Sequence, residues 1–243
     1  MKAFVGCISD KGNYREKNQD RAVCHIRRKH KSVLAVACVC DGIGSFEQSE
    51  IASEMMTSGI TRWFRGIENY YPESMGEESL VEDLEVTIRE LNELVCCYRM
   101  DNGIDIGCTM SLMLLVEQNY HIFHVGDSRI YCVRDALYQI TRDEVAMSEH
   151  NGKVKTRLAN YIGKSKELWM NRLSGTVEEK DTYLLGSDGL FKQLVYEDIG
   201  CYSGRIKNDR KARKVCEELL ETVLKRGERD NVSCILVGIA SIR

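Results

Sequence analysis

Four aspartates of this 243-residue chain stand at the margins of apolar runs. In "VLAVACVC" (33–40) the run stops at Asp41, and Gly42 and Gly44 follow at once. The run "TYLLG" (182–186) reaches Asp188-Gly189 two residues later. Asp20 and Asp230 do the reverse, standing just ahead of "RAVCHI" and "NVSCILVGI". A charge at the end of a buried strand is costly unless something pairs with it. Hard divalent cations such as Mg²⁺ and Mn²⁺ take carboxylate, carbonyl and water oxygens. A glycine after the aspartate lets another group approach the backbone and leaves the Gly42 carbonyl free to act as such a ligand. If the four strand ends meet on one rim, they could hold two divalent ions and a shared water. Each Asp-Gly taken singly is also a common turn; the recurrence at four margins points to a metal site. A second reading makes "DGIGSFE" a phosphate-cradling loop between a strand and a helix. It lacks the third glycine, because Glu47 stands there, and it requires a parallel βαβ unit.

The elements that must carry these residues read as follows. Strand-like runs rich in Val, Ile, Leu, Cys and Tyr lie at 3–9, 21–26, 33–40, 107–117, 120–125, 129–133, 137–140, 171–177, 182–187 and 232–239. Close spacing predicts hairpins, with "EQNY" (117–120) and "GDSR" (126–129) as their turns. Helical periodicity marks 46–65, with Ile51, Met55, Ile60 and Phe64 on one side. It also marks 78–99 (Leu80, Leu84, Ile88, Leu91, Val95) and 209–225 (Ala212, Val215, Cys216, Leu219, Val223). Pro72 is expected to break the first two helices apart. Helices grouped between blocks of hairpin strands predict an α+β domain in which helices cover antiparallel sheets.

Composition narrows the classes. The chain is 43% hydrophobic with one proline, enough for one large core rather than two small domains. A formal net charge of −3 argues against a general nucleic-acid surface, and the basic run Arg27 to Lys31 reads as a solvated hairpin turn. The 11 cysteines lie mostly singly in apolar runs with no CxxC pair, so they read as core residues in a reducing, cytoplasmic compartment. No apolar run approaches membrane-spanning length, so no membrane partner is expected. His121 and His124, three apart on a strand, point to opposite faces and read as structural.

The ordered series "R-x-x-N-Q-D" (15–20), "CDGIGS" (40–45), "GCTM" (107–110), "HVGDSRIY" (124–131), "GSDGLF" (186–191) and "RDNVSCILV" (229–237) resembles the metal-dependent serine/threonine protein phosphatases, the PPM or type 2C family, in their compact bacterial form. The resemblance implies a four-layer αββα sandwich, two stacked antiparallel sheets flanked by helices, spanning 1–243 as one domain. It implies two Mn²⁺ or Mg²⁺ ions, with Asp41 bridging both, Gly42 lending its carbonyl, Asp20 on one side and Asp188 and Asp230 on the other. A metal-bridging water would attack the phosphorus of phosphoserine or phosphothreonine directly, and Arg15 would grip the phosphate. Asp127 with Asp188 matches positions that help bind a third, weaker metal; a tight turn is the other reading of Asp127. Thr109 resembles a core-strand position below the site. Phosphoproteins and a cognate kinase are the implied partners.

The chain also departs from the family pattern. Gln19 stands where many relatives have an acidic residue, and it could hydrogen-bond a metal-held water. Ile43 replaces a histidine that some members carry as general acid, and Ser45 replaces a glycine. Lys192 falls where some relatives carry another acidic ligand. The segment 141–157 leaves room only for a shortened flap, expected as a short loop. These departures keep open the alternative of a degenerate member that binds phosphoproteins or regulators without turnover.

Overall fold

The computed structural model describes residues 1–243 except 30–31, 72–74, 151–152, 201, 203–205 and 243. From the amino end the chain forms β1 (Lys2–Asp10), β2 (Arg21–Lys29) and β3 (Ser32–Cys40), then α1 (Ser49–Ile67) and α2 (Glu77–Asn102). Next come β4 (Met110–Val116), β5 (Asn119–Val125), β6 (Arg129–Val133), β7 (Leu137–Gln139), β8 (Val145–His150) and β9 (Lys153–Leu158). The chain ends with β10 (Asn171–Thr176), β11 (Thr182–Gly186), α3 (Asp188–Phe191), α4 (Tyr196–Gly200), α5 (Asp209–Lys225) and β12 (Val232–Ser241). One sheet runs β1-β12-β11-β6-β7 and the other β10-β5-β4-β3-β2, while β8 and β9 pair as a separate hairpin. Every pairing is antiparallel. That removes the parallel unit on which the phosphate-loop reading of "DGIGSFE" depended. No helix among the described residues is long and apolar enough to cross a membrane.

The layers follow from alternation along the strands. In β3, Val33, Ala35, Ala37 and Val39 join the core between the two sheets, while Leu34, Val36, Cys38 and Cys40 join the core beneath α1 and α2. A strand buried on both faces reads as an unbroken apolar run, as this one does. The expected stripe of α2 is wholly buried, and so is that of α5, which packs on the opposite face of the β1–β12 sheet. In α1 the buried line passes through Ala52, Met56 and Ile60, so Met55 and Ile51 lie at its edge rather than its centre.

Several expectations are corrected. "GDSR" is not a hairpin turn: β5 lies in one sheet and β6 in the other, so Gly126–Ser128 carries the chain across the sandwich. Gly126 has φ +103°, and a Cβ there would stand 2.7 Å from the Thr109 side chain, so the crossing is tight. The segment expected as a short loop contains the hairpin β8–β9. The strand expected at 107–117 begins at Met110, while 107–109 instead makes an isolated bridge with Gly42. The short helices α3 and α4 had no separate signal. Pro72 and the tip of the basic turn, His30 and Lys31, lie outside the described residues.

Antiparallel pairing also explains why some aspartates follow a strand and others precede one. Arg21 pairs with Cys40, which puts Asp20 beside Asp41 at one edge of the second sheet. Gly186 pairs with Cys234, which brings Asp188 to the start of β12, two residues from Asp230. In the second sheet β5 runs in the same direction as β3, so Asp127 leaves β5 at the edge where Asp41 leaves β3.

The sheet–helix contact gives a direct test. A Cβ at Gly6 would lie 2.2 Å from the Arg213 nitrogen and 2.5 Å from the Ala212 carbonyl carbon, both backbone atoms of α5. Gly6→Ala should therefore push α5 off β1 and lower stability by about 1–3 kcal/mol in urea unfolding.

Candidate metal centre

The glycine of each Asp-Gly pair has a packing reason. A Cβ on Gly42 would stand 2.7 Å from the Gln19 carbonyl and 3.0 Å from Ser49 Cβ. A Cβ on Gly189 would stand 2.2 Å from the Asn231 carbonyl and 3.3 Å from Asp230 Cβ. The bare glycine thus lets the segment bearing the second aspartate lie directly on the first. Gly42 itself is held by Thr109 N–H donating to the Asp41 carbonyl at 2.8 Å and Ile43 N–H donating to the Gly107 carbonyl at 3.0 Å. Its own carbonyl stays outside that pair of bonds.

Buried hydroxyls and one amide fix the frame. The Asp41 N–H donates to Thr109 Oγ1 at 3.0 Å, and Thr109 Oγ1 and Ser128 Oγ are 2.6 Å apart. Ser111 Oγ donates to the Ser128 carbonyl at 2.8 Å and lies 2.9 Å from His124 Nδ1. His124 Nε2 is 3.0 Å from the Arg142 carbonyl, so this histidine ties the sheet crossing to the segment leading into β8. Thr109 and His124 are structural, as expected, and His121 pairs with Glu77 on the opposite face. Asn231, which the sequence reading passed over, organises the loop that carries Arg15. Its Oδ1 accepts from the Gln19 N–H at 2.8 Å, and its Nδ2 donates to the carbonyls of Lys11 and Lys17. The "RDN" tripeptide was the available signal. Gln19 Nε2 donates to the Phe46 carbonyl at 2.8 Å, so its amide braces the 42–46 loop, a use the sequence did not foresee.

Asp41, Gly42, Asp127, Asp188 and Asp230 line a cleft of about 1020 Å³, together with Gly44, Arg129, Lys192 and the β8–β9 hairpin residues Val145, Thr156, Arg157 and Leu158. Asp20 lies behind them, 1% exposed, and its Oδ2 has no hydrogen-bond partner. Burial pushes the Asp20 carboxyl up to about 6, against the pull of the Ser187 and Ser233 hydroxyls. Asp41 is raised too, by burial first and then by the charges of Asp20, Asp188, Asp127 and Asp230. Asp127 is pushed up to about 6 by burial and by Asp188 and Asp143, with Lys192 pulling the other way. Such mutual repulsion is relieved by a positive charge placed among the oxygens. The donor set is all oxygen, which is what a hard divalent cation requires. The Asp20 carboxyl, with one oxygen orphaned, feels the charge of Asp188.

Two side-chain cations already stand there. Arg15 Nη2 lies 2.8 Å from Asp230 Oδ1, and Arg15 Nε donates to the same oxygen at 3.0 Å. Burial would raise the Asp230 carboxyl, yet Arg15 and Lys192 together hold it below the usual range. Lys192 Nζ is 2.6 Å from Asp188 Oδ2 and 3.4 Å from Asp230 Oδ2. With Asp188 and Asp230 turned onto these partners, no group of three or more acidic, histidine or cysteine side chains among the described residues is arranged to enclose a metal ion. The structure therefore gathers the five aspartates into one cluster and pairs Arg15 with one of them rather than leaving it free at the cleft mouth.

A family model described as protein phosphatase 2C matches residues 13–237. A serine/threonine phosphatase stp of Listeria innocua is 26% identical over 249 residues, covering 94% of this chain and 93% of its own length. Among solved structures, the serine/threonine phosphatase Stp1 from Staphylococcus aureus matches with a TM-score of 0.79 at 22% identity, covering 98% of this chain and 96% of that one. The catalytic domain of the serine threonine protein phosphatase PstP, solved in complex with two manganese ions, matches with a TM-score of 0.77 at 21% identity over 97% of each chain. At such identities the structural likeness is one of fold, the α+β double sandwich.

The strained carboxylates yield a pH-dependent expectation. Asp20→Asn should stabilise the metal-free protein by about 1–3 kcal/mol above pH 6, in denaturation with EDTA present. Below pH 4 the carboxyl is protonated in both folded and unfolded chains, and the substitution should change little. The same variant should lose the stabilisation that Mn²⁺ gives the parent protein.

Proposed function

The chain belongs to the protein phosphatase 2C family, and from that premise we propose that it is a metal-dependent phosphatase acting on phosphoserine and phosphothreonine in proteins. The observation that carries this reading is the buried Asp20 oxygen, without a partner, on a carboxyl that acts on Asp41 together with the charges of Asp188, Asp127 and Asp230. In this reading Asp20, Asp41, Asp188, Asp230 and the Gly42 carbonyl would hold two Mn²⁺ or Mg²⁺ ions. When bound, the ions supply an acidified water as nucleophile near neutral pH and offset the charge of the phosphoryl group.

The remaining work falls to side chains. Arg15 releases Asp230 and offers its planar fork to two phosphoryl oxygens. Its side chain is 42% exposed, and a Cβ on Gly44 would stand 3.3 Å from its Nη2, so bare backbone leaves the guanidinium room to turn. Ile43 has no ionisable proton to donate, so protonation of the departing seryl or threonyl oxygen falls to solvent in the cleft. No cysteine among the described residues lines the cleft, so a cysteinyl phosphoenzyme has no nucleophile there, and the reading is direct attack by water. The β8–β9 hairpin serves as the shortened flap of the 141–157 segment, and its exposed Arg157 faces approaching phosphoproteins. The ten free cysteines among the described residues support a reducing, cytoplasmic setting.

The alternative, a silent phosphoprotein-binding member, draws on one observation: Arg15 and Lys192 stand among the aspartates. Phosphate release from a phosphothreonine peptide separates the two. Turnover should require Mn²⁺, vanish in EDTA and fall to background in Asp188→Asn, while Arg15→Ala should lower kcat/KM by about 10²-fold. Equal background from the folded parent and Asp188→Asn would instead favour the binding role.

A further inference from the structure

The carboxylate cluster contains a cation that nothing in the proposed reaction uses. Lys192 Nζ bridges Asp188 Oδ2 at 2.6 Å and Asp230 Oδ2 at 3.4 Å, joining the aspartate that follows β11 to the one that precedes β12. Its origin is well fixed. The Lys192 N–H donates to the Asp188 carbonyl at 3.0 Å, closing the turn of α3. The preceding Phe191 is buried and packs on Tyr131 with ring centroids 4.9 Å apart. The ammonium therefore reaches the two carboxylates from a rigid base, although its side chain is still 46% exposed.

Charge balance gives this placement a consequence. Fully ionised, as ligands of a cation would be, Asp20, Asp41, Asp127, Asp188 and Asp230 bring five negative charges, and Arg15 and Lys192 bring two positive ones. Two divalent ions turn the remaining deficit of three into a single positive charge, which suits a phosphate dianion. With an acidic residue at 192 the deficit would be five, and two ions would leave a site that repels phosphate. We infer that Lys192 is a resident monovalent cation that limits this centre to two divalent ions and makes the one beside Asp188 and Asp230 the weaker. The inference rests on the metal-centre reading above and adds to it a residue that controls metal stoichiometry. A divalent ion can use Asp188 and Asp230 fully only by displacing the ammonium, and at 3–4 Å two positive charges repel strongly. Once displaced, Lys192 remains beside Asp127 and Asp188, where any further cation would have to bind.

The test is Mn²⁺ binding to metal-stripped protein by calorimetry, with the bound metal counted after dialysis, for the parent, Lys192→Met, Lys192→Arg and Lys192→Asp. Circular dichroism and the melting midpoint in EDTA check that each variant is folded. The parent and Lys192→Arg should bind two ions with the same affinities. Lys192→Met should tighten the weaker ion about tenfold or more, and Lys192→Asp should bind one additional equivalent. Equal affinities and stoichiometry across all four proteins would overturn the inference. So would a Lys192→Met variant with unchanged metal binding and a raised KM for phosphopeptide, since the lysine would then be gripping phosphate. Absence of Mn²⁺ binding in every protein would overturn both this inference and the metal-centre reading, whereas two ions in a parent indifferent to Lys192 would remove the inference alone.

Discussion

Five carboxylates held against their mutual repulsion at one end of a double sandwich are the constraint on which the rest of this molecule depends. Water would keep such charges apart, and three of them show the strain as raised proton affinity. The sheets supply the restraint. β3 is buried along its whole length, β12 is buried over most of its length, and each is paired to neighbours on both sides, so their ends cannot fray to relieve the charge. The two Asp-Gly glycines bring the paired segments into backbone contact, and Thr109, Ser128 and Asn231 tie down the loops between them.

This arrangement concentrates the cost of folding where the chemistry would be. Burying unpaired charge destabilises the metal-free chain, and a divalent cation that binds only the folded state returns that free energy by mass action. Arg15 and Lys192 serve as partial counter-ions to Asp230 and Asp188. Both are long, half-exposed side chains that can leave, which is the property a phosphate-gripping arginine and a displaceable lysine each need. The cleft is walled on one side by a hairpin whose strands pair with each other and belong to neither large sheet.

Much of this was legible in the sequence because it rests on local patterns. The apolar runs gave the strands, the stripes of α2 and α5 gave the helical layers, and the aspartates at strand margins gave the cluster. Antiparallel pairing alone converts "strand then Asp" and "Asp then strand" into neighbours. What escaped depends on longer-range geometry. "GDSR" has the composition of a hairpin turn, and only the assignment of β5 and β6 to different sheets makes it a crossing. In β9 the run KVKTRL alternates charged residues with Val154, Thr156 and Leu158, a period-two signal that was available but short and poor in apolar residues. The pairing of Lys192 with Asp188 follows from helical spacing, but its reach to Asp230 requires α3 to lie against the start of β12, and Gly189 is what permits that.

The central claim is that these aspartates form one cation-binding centre. The most direct measurement is anomalous diffraction at the manganese edge from crystals grown with Mn²⁺. Two strong peaks are expected, one beside Asp20 and Asp41 and one beside Asp188 and Asp230, with the Lys192 ammonium moved off the second. Ordered Mn²⁺ found only elsewhere on the molecule, with Arg15 and Lys192 still seated on Asp230 and Asp188, would contradict it.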